Sequence, residues 1–202
     1  RISLTHSKFE ILFIDLAFRR TSFILAQNQF QFEKLMERFP KQKIIKVSNP
    51  FIIDLKFLKV KSKSEGYIAW VANFRHQKNL ELLYKIALIL PLDNFKVAGL
   101  PNSNIDKETI FFVEKLKSLP NVEFVGLIPR NEIFHFFSKS KFLLNTSRYE
   151  GFSNTFLESM STGTPILTTH NVNPDGIINQ FDLGVLYENE IDLKRKLEAL
   201  SD

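Results

Sequence analysis

The sequence has 202 residues, 44% of them hydrophobic, which is enough for one domain with a full core and a smaller appendage. No run approaches the roughly 18 apolar residues of a transmembrane helix, and the lack of cysteine excludes disulfides, thiolate nucleophiles and thiolate metal sites. The net charge of +5 is uneven, because residues 1–64 carry 13 Lys and Arg against 5 Asp and Glu, whereas residues 65–202 carry 14 against 17.

Two helix–strand pairs are predicted in the first quarter of the chain. Hydrophobic periodicity predicts a helix at 10–20, a strand at 22–26, a helix at 30–39 that Pro40 ends, and a strand at 44–47. The charged stretch 56–65 lacks periodicity and is predicted to be a linker. We therefore expect an N-terminal piece, residues 1–55, and a separate domain, residues 66–202.

Strands and helices alternate in residues 66–202. The strands are predicted near 67–72, 95–98, 122–125, 141–144, 165–168 and 183–186, and the helices near 79–90, 106–118, 130–138, 154–162 and 190–200. Such alternation predicts an α/β fold with a doubly wound parallel sheet of the Rossmann-like kind.

The most informative pattern lies where the predicted strand at 141–144 leads into the helix that begins near 154. Glu150 precedes that helix and Glu158 lies one turn inside it, with the backbone N–H groups of the first turn between them. A helix start attracts phosphate, and ionised carboxylates accept hydrogen bonds from sugar hydroxyls. The pattern therefore predicts a site for a sugar nucleotide.

Two purely structural explanations of these acids remain open at this point. Thr155 and Glu158 fit a T-x-x-E capping box, in which each side chain bonds the other's backbone N–H. Glu150 fits a solvated loop acid equally well. A binding site is favoured because the acids, the small residues between them and the strand-to-helix junction fall together at one edge of the sheet, where open α/β sheets bind ligands.

Two segments here, NTSRYEGF at 145–152 and ESMSTGTPIL at 158–167, resemble the E-x7-E signature of the family 4 (group 1) retaining glycosyltransferases, whose fold is GT-B. Supporting similarity lies in VSNP at 47–50, VANFRHQKN at 71–79 and NVEFVG at 121–126, and it extends from about Ala26 to the C-terminus. The resemblance implies that residues 66–202 are the C-terminal, nucleotide-sugar-binding domain of a GT-B enzyme. Residues 1–55 would then be a remnant of its N-terminal acceptor-binding domain.

The resemblance also implies roles for individual residues. Glu158 would accept hydrogen bonds from the two ribose hydroxyls, and Glu150 would face the transferred sugar. Lys78, just before a helix, would bind the diphosphate. The full implied donor site comprises Asn73, Arg75, Lys78, Ile128, Glu150, Gly151, Phe152, Ser153, Asn154, Thr155 and Glu158, with Glu150 and Lys78 as the catalytic residues.

One position departs from the family pattern. Members usually carry a Gly-Arg pair where this chain has Ala72 and Asn73. Either Arg75 supplies the second positive charge in place of that pair, or the enzyme relies more on Lys78 and the helix start, with Arg75 an ordinary surface arginine. The base would lie against the loop 127–130, which includes Ile128, and would be read mainly by backbone groups.

Motifs of other nucleotide-binding classes are absent. Neither G-x-G-x-x-G nor G-x-x-x-x-G-K-[ST] occurs, which argues against dinucleotide dehydrogenases and P-loop enzymes. No Asp-x-Asp pair is present to hold a divalent cation on a diphosphate. We therefore expect no cofactor and no metal, with protein groups neutralising the diphosphate of a nucleoside-diphosphate sugar substrate.

The implied reaction moves a hexose or N-acetylhexosamine to the hydroxyl of a saccharide or lipid-linked acceptor, in cell-surface polysaccharide synthesis. We expect a cytoplasmic location at the inner face of the membrane, with peripheral membrane contact through the basic first third. Nucleic acid is not expected as a partner, because the basic residues are not interleaved with aromatics in a nucleic-acid pattern.

Two alternative functions stay open. One is a GT-B epimerase or phosphorylase in place of the transferase just described. The other is a non-catalytic sugar-nucleotide-binding module. Because a GT-B site lies in the cleft between two domains, we expect this chain to be inactive as a transferase by itself.

Overall fold

The computed structural model describes residues 8–53, 55–58 and 65–200, so part of the predicted linker, residues 59–64, lies outside the described residues. The chain divides into two compact units, residues 1–50 and residues 51–202. None of the helices within these described ranges has the length and apolar character needed to cross a bilayer.

The first unit contains two helices and a two-stranded parallel sheet. Its elements are α1 (Lys8–Arg20), β1 (Ile24–Ala26), α2 (Gln29–Arg38) and β2 (Ile44–Lys46). The buried Asn28 caps α2 by accepting a hydrogen bond from the backbone N–H of Gln31 at 2.8 Å, as expected of Asn before a helix. The small core of this unit includes Ile24, Ala26 and Phe39.

The second unit is built on a six-stranded parallel sheet with the strand order β5-β4-β3-β6-β7-β8. The strands are β3 (Tyr67–Val71), β4 (Phe95–Ala98), β5 (Val122–Gly126), β6 (Ser140–Leu144), β7 (Ile166–Thr169) and β8 (Gly184–Tyr187). The helices are α3 (Leu80–Ile89), α4 (Lys107–Lys117), α5 (Ile133–Ser138), α6 (Asn154–Ser161), α7 (Ile177–Gln180) and α8 (Glu190–Ala199). This architecture confirms the predicted α/β fold with a doubly wound parallel sheet.

Both faces of the sheet are buried, and the side chains of successive residues in β3 pack on opposite faces. Ile68 and Trp70 belong to one core cluster, which also contains side chains of α3, α4 and α8, whereas Ala69 belongs to a second cluster with α5 and α6. A period of two along a strand accounts for this division, because successive side chains point to opposite faces. The strand is therefore fixed from both sides, along with the loop that follows it.

The strand order creates a switch point between β3 and β6. From β3 the chain moves outward to β4 and β5 on one side, and then returns to place β6 on the other side of β3. The loops that follow β3 and β6 therefore diverge at the carboxyl edge, which leaves a crevice where open sheets of this kind bind ligands.

We expect Gly99→Ala to lower the free energy of unfolding by about 2–4 kcal/mol. Gly99 directly follows β4 and has a φ of +133°, and a Cβ at this position would lie 1.9 Å from the backbone oxygen of Ala72. A matched control is Gly126→Ala, because Gly126 also has a positive φ, +73°, but has no atom within 4 Å of its Cβ position. Denaturant unfolding of the two variants measures the difference, and equal stabilities would contradict the close approach of the two strand ends.

Candidate functional site

The residues with predicted roles gather at the carboxyl edge of the sheet, on either side of the switch point. After β3 a short 3-10 helix, His76–Lys78, leads into α3. Asn79 joins the two helices in the left-handed conformation, with a φ of +52°, and caps α3 by accepting a hydrogen bond from the N–H of Leu82. This sharp turn fixes the position of Lys78 at the end of the loop.

Lys78 and Glu150 form an ion pair that joins the loop after β3 to the loop after β6. The two side chains are only 12% and 11% exposed, so the pair is partly screened from water. Ser147 also donates from its hydroxyl to Glu150 Oε1, at 2.9 Å. The two residues predicted to be catalytic are therefore held together at this edge of the sheet.

A buried chain of hydrogen bonds holds the backbone of Lys78 from below. The indole N–H of Trp70 donates to Thr146 Oγ1 at 3.0 Å, and Thr146 in turn donates to the carbonyl oxygen of Lys78 at 2.7 Å. Trp70 is 2% exposed and Thr146 is 1% exposed. Buried hydrogen bonds of this kind fix a single geometry, because breaking one leaves an unsatisfied group.

The same two loops are also joined nearer the surface. The N–H of Arg148 donates to the carbonyl of Gln77 at 2.8 Å, and the Gln77 amide donates to the carbonyl of Tyr149 at 2.6 Å. The Arg148 guanidinium donates to Glu108, near the start of α4, at 2.6 Å. No individual role was predicted for Thr146, Ser147, Gln77 or Arg148, although all four lie in the segments 71–79 and 145–152 that carry the family resemblance.

The start of α6 excludes the capping-box explanation. The N-cap residue is Ser153 and the helix begins at Asn154, so Thr155 is the second helical residue and Glu158 the fifth. A capping box needs the hydroxyl residue at the N-cap and the acid three residues later. Thr155 instead shares a hydrogen bond with the Ser153 hydroxyl at 2.7 Å. Glu158 therefore does not cap the N-terminus of its own helix.

Glu158 lies half-buried in α6. Burial raises the pKa of its carboxyl above the ordinary value, and the charge of Arg130 in the loop after β5 partly offsets the rise. Ile128, in the same loop, is half-buried against the core cluster that also receives Phe152. The charge of Arg130, in the predicted base-binding loop, therefore acts on the predicted ribose-binding acid.

Glu158→Gln is expected to raise the free energy of unfolding at neutral pH. The raised pKa means that ionisation of this carboxyl opposes folding, whereas an amide has no charge to bury. The advantage should disappear below about pH 4, where the carboxyl is protonated in both the folded and the unfolded chain. Urea unfolding at the two pH values measures this, and a variant less stable at neutral pH would show that the carboxylate stabilises the fold.

The remaining predicted residues lie along the same edge. Asn73 and Arg75 are exposed on either side of Phe74, which is buried and hydrogen-bonded through its N–H to the carbonyl of Leu100 at 2.9 Å. Gly151 and Ser153 are half-buried and Asn154 is exposed. Within the described ranges, no group of three or more His, Asp or Glu side chains is arranged to hold a metal ion.

A sequence model of one family, glycosyl transferases group 1, matches residues 53–202. An uncharacterized glycosyltransferase of Methanocaldococcus jannaschii is 32% identical over 134 residues, which are 65% of this chain and 37% of that protein. The chain thus spans little more than a third of the curated relative it matches.

Solved structures of other proteins share the fold. Sucrose-phosphate synthase from Thermosynechococcus elongatus has a TM-score of 0.78 at 14% identity, covering 98% of this chain and 54% of that chain. Anabaena HepE, solved with UDP and glucose, has a TM-score of 0.74 at 16% identity, covering 100% of this chain and 60% of that one. At such low identity the likeness supports the fold alone.

Proposed function

Because the chain belongs to the group 1 glycosyltransferases, whose model matches residues 53–202, we propose that it is the donor-binding half of a family 4 retaining enzyme with a GT-B fold. The seven-residue interval between Glu150 and Glu158 supports the assignment to family 4. Residues 66–202 would be the nucleotide-sugar-binding domain. Residues 1–55 would belong to the acceptor-binding domain, with 56–65 as the linker.

The donor would bind across the switch point without a metal ion. Lys78 and the backbone N–H groups at the start of α6 would bind the diphosphate, since both a cation and a helix start favour negative charge. Glu158 would accept hydrogen bonds from the ribose, and Glu150, Gly151 and Phe152 would face the sugar. The observation that carries this proposal is the ion pair between Lys78 and Glu150 at the carboxyl edge of the sheet, in which the two side chains are only 12% and 11% exposed.

The remaining donor-site residues would frame these contacts. Ser153, Asn154 and Thr155 form the first turn of α6, where their backbone groups would meet the phosphates. Asn73 and Arg75, exposed beside Lys78, would supply polar contacts and a second positive charge. Ile128 would lie against the base. One structural neighbour, HepE, was solved in complex with UDP and glucose, which supports a nucleoside-diphosphate sugar as the donor.

The proposed reaction transfers a hexose or N-acetylhexosamine to a hydroxyl of a saccharide or glycolipid with retention of configuration. The departing phosphate would help to deprotonate the acceptor on the same face of the sugar. Lys78 and the start of α6 would stabilise the charge that develops on the leaving oxygen, which is the main way in which a protein without covalent chemistry lowers such a barrier. We place the enzyme in cell-surface polysaccharide synthesis, in the cytoplasm at the inner face of the membrane.

The stereochemistry of the product tests this function. A longer protein, in which a complete acceptor-binding domain precedes residue 56, is incubated with nucleotide sugars and saccharide acceptors, and the anomeric configuration of the product is read by proton NMR. Retention in a glycosylated product is expected. An inverted product would contradict a family 4 mechanism, and an isomerised donor without transfer would favour an epimerase. Donor binding without any conversion would favour a non-catalytic binding module.

A further inference from the structure

The contacts of the Glu150 carboxylate divide between its two oxygens. Oε1 accepts from both the Lys78 ammonium and the Ser147 hydroxyl. Oε2 has no hydrogen-bond partner among the described residues. In these residues, every fully buried polar side-chain atom has a hydrogen-bond partner, so an atom without a partner is not fully buried. Oε2 is therefore reachable from solvent. The carboxylate neutralises Lys78 with one oxygen and leaves the other open for a hydroxyl donor.

The arrangement affects a bare diphosphate and a complete sugar nucleotide differently. A diphosphate that binds Lys78 arrives beside Glu150, and two anions around one ammonium repel each other. The backbone of Lys78 is held by Thr146, so the lysine cannot move away as a unit. A complete donor brings sugar hydroxyls, which can donate to the open oxygen of Glu150 and offset the repulsion. A bare nucleoside diphosphate has no such group.

We propose that Glu150 is a specificity-determining counter-anion of Lys78, which makes the site prefer a sugar nucleotide over the bare nucleoside diphosphate that remains after transfer. The proposal rests on the function proposed above and adds a reason why the product leaves. Specificity here is a difference between two affinities, obtained by penalising the wrong ligand. The ion pair leads us to expect that Glu150→Gln binds the bare diphosphate more tightly than the unaltered chain does.

Calorimetry with three ligand pairs tests the proposal: UDP with UDP-glucose, GDP with GDP-mannose, and ADP with ADP-glucose. Glu150→Gln should bind the bare diphosphate about three- to tenfold more tightly than the unaltered chain, because one nearby negative charge is removed. Its preference for the sugar nucleotide should fall by at least the same factor. Ser147→Ala keeps the Glu150 carboxylate and its charge, so this variant should not bind the bare diphosphate more tightly than the unaltered chain does.

A matched control removes an equal charge elsewhere. Glu114 lies exposed on α4 in an ion pair with Lys117, so Glu114→Gln should bind every ligand like the unaltered chain. The proposal is overturned if the unaltered chain binds a bare diphosphate and Glu150→Gln does not bind it more tightly, or if Ser147→Ala tightens binding as much as Glu150→Gln does. If the unaltered chain binds none of the six ligands, the proposed function itself fails, and this inference fails with it.

Discussion

Lys78→Ala should weaken binding of a nucleoside diphosphate by about 10- to 100-fold, because a charge-assisted contact to phosphate is worth roughly 1.5–3 kcal/mol. The loss has two parts. The ammonium no longer attracts the diphosphate, and the Glu150 carboxylate, which is only 11% exposed, is left without its cation and repels the ligand. Titration calorimetry of the variant against the nucleotide that binds the unaltered chain measures the loss.

Two controls separate these parts. Lys85→Ala removes an equal charge from α3, where Lys85 pairs with Glu81 at 2.7 Å, and should leave the affinity unchanged. The double change Lys78→Ala with Glu150→Gln should recover part of the affinity lost in Lys78→Ala, because the repulsion is then absent. An affinity for the diphosphate unaltered in Lys78→Ala would exclude this lysine from the site.

The second large effect concerns catalysis by the chain alone. We expect the 202-residue chain to bind a donor yet show no glycosyl transfer, whereas a longer protein with a complete acceptor-binding domain before residue 56 shows turnover. The acceptor hydroxyl must be held within about 3–3.5 Å of the anomeric carbon, and this positioning supplies much of the rate. Incorporation of labelled sugar into saccharide and glycolipid acceptors measures both proteins side by side.

If the 202-residue chain shows no transfer, a control must show that the chain is folded and has bound the donor. Saturating donor should raise its melting temperature, since a ligand that binds only the folded state stabilises that state. Transfer by the isolated chain at a rate comparable to that of the longer protein would contradict the expectation. It would mean that residues 1–55 already contain a working acceptor site.

The fold was predictable because its signals are local. The bounds of each strand of the six-stranded sheet lie within one residue of the prediction. The strands are short and rich in apolar residues, and strands of a parallel sheet that is covered by helices read as hydrophobic stretches. Helix α7 was missed because Ile177–Gln180 is a single turn, too short for a hydrophobic period to appear. Helix α5 begins at Ile133, three residues later than predicted, because residues 129–132 form a turn closed by the Glu132 N–H on the Pro129 carbonyl.

The location of the site was predictable from the sequence, but the contacts between its side chains were not. Sequence spacing indicated that Glu150, Glu158 and Lys78 lie at one sheet edge, because parallel strands end together there. The Lys78–Glu150 pair joins positions 72 residues apart, and their contact depends on β3 and β6 being neighbours in the sheet. Strand neighbours are a property of the whole topology, so no local pattern discloses them.

The buried support of the site was hidden for a related reason. Trp70 reads as a core residue of a strand, and only the neighbouring strand shows that its N–H meets the Thr146 hydroxyl. Arg148 reads as a surface arginine in a loop, although its contact with Glu108 links that loop to α4. Residue types alone do not distinguish a polar group that holds a site together from one that is merely solvated.

Titration calorimetry of the chain against UDP, GDP and ADP in chelator-treated buffer tests the central claim most directly. The claim is that this carboxyl edge binds a nucleoside diphosphate without metal, with the ribose on Glu158 and the phosphates on Lys78. One of the three nucleotides should bind with one-to-one stoichiometry, and both Glu158→Gln and Lys78→Ala should weaken that binding while remaining folded. A chain that binds none of the three, or that binds one equally well in both variants, would contradict the claim.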